Sequence, residues 1–122
     1  MNAKVIHANL EAWDAVGHLP LCTRAVIDAE QVLIDAVDAA VKAIEGVEDC
    51  YSKAGSLGSH YWEIDVVDGD WSVKLRVSNH KAGGRGCEND ADIVVGDSVE
   101  EIERQLAKIA AAVKASQETA KA

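Results

Sequence analysis

The sequence contains no phenylalanine, one proline, one methionine and three cysteines among 122 residues, and each scarcity narrows what the chain can be. Without phenylalanine, the aromatic bulk of a core must come from Trp13, Trp62 and Trp71. Cys22, Cys50 and Cys87 form an odd set with no repeated spacing, so a secreted disulfide framework is not expected and the thiols read as reduced. There is no CxxC or HxxxH, and His7, His18, His60 and His80 are scattered; neither a metal nor a cofactor is expected. No apolar run approaches the roughly 20 residues that span a bilayer. The opening MNAKVIHANLEAWDAVG lacks the apolar stretch and cleavage site of a signal peptide, which leads to a cytoplasmic expectation.

Basic residues are also scarce. Twelve Lys and Arg stand against 21 Asp and Glu, a formal net charge of −9, which argues against nonspecific nucleic-acid binding. It suits solubility or a partner with a basic surface.

What is present is periodic. Asn9 to Gly17 reads as a short helix, capped by Asn9 and ended by Gly17. From Arg24 to Glu45, Val26, Leu33, Val37, Ala40 and Ile44 share one side, widened by Ile27, Ile34 and Val41. Asp28, Gln31, Asp35, Asp38, Lys42 and Glu45 fall opposite, within about 100° of arc, as a solvated acidic face. Glu30 projects among the apolar positions, so it either reaches water from an edge or has a hidden partner such as Arg76.

After a polar glycine-containing loop from Ser52 to Ser59 the period changes to two. Trp62, Ile64 and Val66 alternate with Tyr61, Glu63 and Asp65; Asp68-Gly69-Asp70 marks a turn; Trp71, Val73, Leu75 and Val77 alternate with Ser72, Lys74, Arg76 and Ser78. Paired as a hairpin, Glu63 and Asp65 would meet Lys74 and Arg76. Ala91 to Val95 is a short third strand. Ser98 and Glu101 form a capping box opening a helix whose seam is Val99, Ile102, Leu106, Ile109 and Val113. The tail from about residue 115 is expected to fray. The expected fold is one α+β domain over residues 1–122: a short three-stranded antiparallel sheet, one face covered by two long helices, plus a short N-terminal helix.

The segment RVSNHKAGGRGCEND, Arg76 to Asp90, gathers glycines, basic side chains, a histidine and a cysteine. It fails the spacing of a P-loop and of a dinucleotide fingerprint. An anion cradle of loop amides with Arg85 stays open, as does a Cys87 nucleophile with His80 as base, though no third group orients that histidine. Charge segregation is clearer. No acid occurs from Trp71 to Cys87, where Lys74, Arg76, Lys81 and Arg85 cluster with His80. Between Glu11 and Asp49, nine acids face two basic residues.

Ser59 to Gly83, SHYWEIDVVDGDWSVKLRVSNHKAG, resembles a pattern in small acidic accessory proteins of phages and mobile elements, in which a hairpin leads to K-x-R-[IV]-S-[DN]-H. Lys74, Arg76, Val77, Ser78, Asn79 and His80 carry the match, and DADIVVGDSVEEI resembles the strand and helix that follow. The resemblance covers about the second half of the chain and implies a setting, the bacterial host cell, rather than a reaction. Such proteins often bind and block a host machine, as anti-CRISPR proteins do. The expected function is therefore non-enzymatic inhibition of a host protein or nucleoprotein machine. The expected contact surface is acidic: Asp28, Asp35, Asp38 and Glu45, with Glu48 and Asp49. The alternative is a small enzyme or anion-binding protein using the loop 80–87, and a third reading is a homodimer built on the Val99–Val113 seam or the edge strand Ala91 to Val95.

Overall fold

The computed structural model describes residues 2–55, 58–79 and 89–122. His80, Lys81, Arg85 and Cys87, and with them the glycine-loop expectation, lie outside the described residues. The elements run α1 (Asn2–Ala15), α2 (Arg24–Lys42), β1 (Val47–Ala54), β2 (Ser59–Val66), β3 (Val73–Ser78), β4 (Ala91–Val94) and α3 (Val99–Lys121). The fold is α+β, with three helices and a four-stranded sheet of order β1-β2-β3-β4.

Three expectations about the sheet need correction. A fourth strand, β1, precedes the expected hairpin and takes up Ser52 to Ala54, which the sequence reads as loop. The sheet is mixed, because β4 runs parallel to β3, with Leu75 opposite Ala91 and Val77 opposite Ile93. Its residues Ala91 to Val94 are all buried, Asp92 among them, its carboxylate met by Arg76. Finally, Trp71 lies ahead of β3 and is 39% exposed, while Trp13 and Trp62 are buried.

The helices cover one face. Cys50, Trp62, Ile64, Val73, Leu75, Val77 and Ile93 point inward and meet Leu33, Val37 and Val41 of α2 and Ile102, Ile109 and Val113 of α3. Helix α1, longer than expected, packs against both α2 and α3 through Ala3, Ile6, Leu10 and Trp13. Asn9 is not its cap; its side chain donates to the Val5 carbonyl one turn earlier. Helix α2 closes at Lys42, and Gly46, at φ +91°, turns the chain into β1 where a side chain would strike Val113 and Gln117. The Ser98 hydroxyl accepts the Glu101 amide at 3.1 Å, as the capping-box spacing requires.

The tail of α3 does not fray. Ser116 is fully buried; its hydroxyl accepts from the amides of Asp70 and Trp71 and donates to the Trp71 carbonyl, while Gln117 donates to Val67. These bonds satisfy the backbone of the β2–β3 turn, which has no ladder partner there. The α3 seam, with Ile102, Ile109 and Val113 buried under the sheet, is used within the chain and is not free to form a dimer. The β4 edge is blocked as well. Its outward amides, those of Asp92 and Val94, donate to the side chains of Gln105 and Asp97 at 3.0 and 2.9 Å.

No helix among the described residues is long and apolar enough to cross a membrane.

Candidate functional site: the outer sheet face and its acidic end

Because the helices occupy one face, the other presents alternate residues of each strand. Strand β1 contributes Asp49, Tyr51 and Lys53, β2 contributes Asp65, Glu63 and Tyr61, and β3 contributes Lys74 and Arg76. The register sets Asp49 opposite Asp65, Tyr51 opposite Glu63, and Lys53 opposite Tyr61. It then sets Glu63 opposite Lys74 and Tyr61 opposite Arg76. The expected Glu63–Lys74 pairing is therefore right in register, whereas Asp65 does not face Arg76. Arg76 instead bonds Asp92 of β4 at 2.8 Å, with side chains 14% and 5% exposed.

At one end of this face two acids face each other, with the Lys42 ammonium 3.9 Å from one of them. Asp49 and Asp65 stand directly across the ladder, where like charges are destabilising. Their field raises the pKa of Tyr51 above its ordinary value, Asp49 contributing most and Asp65 next. Glu48, Asp65 and Asp70 line a shallow groove of about 280 Å³ beside Trp71. Glu45 and Val67 border an adjoining hollow where α2 ends. Val67 and Trp71 are both exposed; Trp71 sits among Glu48, Asp65 and Asp70, and Val67 beside Glu45 and Lys114.

The structure separates the six acids expected on one surface. Asp28 lies 3.8 Å from Arg24 on the same helix, and Asp35 accepts from Gln31 at 2.9 Å. Asp38 is half-buried: its Oδ1 accepts the Trp62 indole N–H at 2.6 Å and lies 3.8 Å from the Cys50 Sγ. It is a structural acceptor beneath the sheet rather than part of a contact face. Asp49 accepts the Cys50 amide and lies 3.9 Å from the Lys42 Nζ. Glu45 and Glu48 are exposed and make no comparable contact among the described residues. Asp70 and the half-buried Asp65, which accepts from Ser72 at 3.4 Å, lie beside Glu48, a grouping hidden from the sequence because it depends on β1.

Two titratable groups sit on the inner side. Burial, reinforced by Asp38, pushes the Cys50 thiol up to about 11, so it stays protonated and is a poor nucleophile at neutral pH. His60 is the hidden partner of Glu30: its Nε2 lies 3.2 Å from the Glu30 Oε1. The alignment is too poor for a hydrogen bond, and neither ring nitrogen has a hydrogen-bond partner among the described residues. Burial lowers the His60 pKa more than Glu30 raises it. The ring borders a cavity of about 170 Å³ with Trp13, Leu21 and Gly58. Among the described residues, no group of three or more His, Cys, Asp or Glu side chains is placed to hold a metal ion.

No family model matches the chain, and neither a curated protein nor a solved structure resembles it significantly.

Proposed function

We propose that the chain is a non-enzymatic binding protein that engages the basic surface of a protein or nucleoprotein partner through the acidic end of its sheet. The observation that carries this reading is the Asp49–Asp65 pair. Two carboxylates held opposite each other on an exposed face oppose folding, and a basic partner would relieve that repulsion on contact. Glu48 and Asp70 enlarge the negative patch, and Trp71 supplies an aromatic anchor of the kind that dominates interface energetics. A host machine whose basic surface normally receives nucleic acid fits the phage setting implied by the resemblance of residues 59–83. The contact surface thus becomes Glu45, Glu48, Asp49, Asp65 and Asp70 around Trp71, with Asp28 and Asp35 on its helical flank and Asp38 removed.

The test uses a partner captured from host lysate and then purified. Asp65→Lys with Asp70→Lys should weaken its affinity by about tenfold or more at low salt, with a smaller effect at high salt, and nucleic acid should compete. Unchanged affinity in the doubly reversed chain, with its fold intact by circular dichroism, would rule the acidic end out.

A further inference from the structure

Beside the acidic end, the same sheet face holds a cavity of about 280 Å³ with a different chemistry, lined by Tyr51, Lys53, Tyr61, Glu63, Lys74 and Asn89. We propose that this cavity binds a mononucleotide-sized aromatic anion, its ring against the two tyrosines and its phosphate against the lysines.

The register fixes the arrangement. Tyr51 faces Glu63 and Lys53 faces Tyr61, so the tyrosines lie on one diagonal of the β1–β2 ladder, about 7–8 Å apart. That separation leaves room between the side chains for one planar group. Lys74, opposite Glu63 on β3, closes the far side. With strands about 4.8 Å apart and about 6.7 Å per two residues, the lysine stems stand about 12 Å from each other across the aromatic pair.

Both lysines are available. Among the described residues neither Lys53 nor Lys74 makes an ion pair, although Glu63 stands across from Lys74. Two lysines thus line the cavity on a chain of net charge −9, with Glu63 beside them and the Asp90 carboxylate bonded to the Lys74 amide at 2.8 Å. The charge of Asp49 and Asp65 reaches Tyr51, so an anion that enters must be small enough to meet a lysine while avoiding them. A nucleic-acid strand would run along the face into those acids, whereas one nucleotide would not. The volume also suits one or two rings.

Tyr61 is held in place for this task. A Cβ on Gly55 would fall 2.3 Å from the Tyr61 ring, so the ring rests directly on the Gly55 backbone. Tyr51, by contrast, is 58% exposed and can move to meet a ligand. Glu63, between the tyrosines and Lys74, is placed to accept from a ring amine or a sugar hydroxyl.

Isothermal titration of the full chain with adenosine monophosphate tests the site, with adenosine, inorganic phosphate and a short oligothymidylate as separate probes. The nucleotide should bind more tightly than adenosine or phosphate alone. Tyr51→Ala and Lys74→Ala, both at exposed positions, should each weaken it about tenfold. Gly55→Ala, which displaces the Tyr61 ring without reaching the ligand, should also weaken it. The proposal is overturned if the nucleotide shows no binding at millimolar concentration or if both truncations leave its affinity unchanged. It is also overturned if the oligonucleotide binds and phosphate alone matches the mononucleotide, which would mean a charge track rather than a ring site. None of these outcomes bears on the acidic end, whose partner is tested with different substitutions.

Discussion

Two carboxylate arrangements on the same sheet face have opposite character. At the β3–β4 side, Asp92 meets Arg76 at 2.8 Å and both side chains are largely withdrawn from water. At the β1–β2 end, Asp49 faces another carboxylate, Asp65, with the exposed Lys42 ammonium 3.9 Å from Asp49, and both acids remain accessible to water. The first arrangement holds the sheet together; the second weakens it. This contrast separates acids drawn into the fold from acids left accessible to water.

Breaking the first arrangement should have the largest effect. Arg76→Ala leaves the Asp92 carboxylate buried without its guanidinium and is expected to destabilise the fold by about 3–5 kcal/mol in urea denaturation. A loss below about 1 kcal/mol would place Asp92 among the solvated acids. Asp38 belongs to the structural class despite its position on the polar side of α2. Asp38→Ala strands the Trp62 indole N–H and should cost about 1–3 kcal/mol, whereas Asp38→Asn retains an acceptor and should cost less. Equal losses in the two variants would show that the carboxylate charge matters rather than the hydrogen bond.

His60 gives a smaller, pH-dependent effect. Its folded-state pKa is lowered, so the unfolded chain binds the proton more readily. This histidine's contribution to stability is complete above its unfolded value, near 6.5, and is lost as the pH falls toward its lower folded value. Replacing His60 with Phe should flatten that part of the stability profile, and an unchanged slope would assign it to other groups. The smallest effect sharpens the comparison most. Asp65→Asn should raise stability by about 0.2–1 kcal/mol while weakening the proposed partner contact. A fall in the thermal midpoint would mean that Asp65, which lies 3.4 Å from the Ser72 hydroxyl, is a structural acid after all.

Helices α2 and α3 and the β2–β3 hairpin are legible because their apolar periods match their burial, as Val26, Leu33 and Val37 show on α2 and Trp62 and Ile64 on β2. Strand β1 is not legible. VEDCYSKA buries only Cys50, an irregularity between Val47 and Asp49 breaks its alternation, and its edge position leaves Ser52 and Ala54 exposed. Losing β1 also hides the site, because Tyr51 and Lys53 are placed beside Tyr61 only by that strand. The alternation Asp49, Tyr51, Lys53 was the available signal. Asp38 illustrates a different limit: helical periodicity gives the direction of a side chain, but its partner Trp62 comes from 24 residues away. The parallel placement of β4 similarly depends on a crossover that short-range turn signals do not encode.

The Ser116 clamp carries a consequence for the order in which the molecule is made. The turn at Asp70 and Trp71 is synthesised some 45 residues before the hydroxyl that satisfies its backbone. During translation the hairpin can pair, but the end of the sheet that bears Trp71 waits for the last turns of α3. Folding of that end is therefore coupled to completion of the helix. A growing chain offers its acidic surface in final form only after the ribosome has passed Gln117.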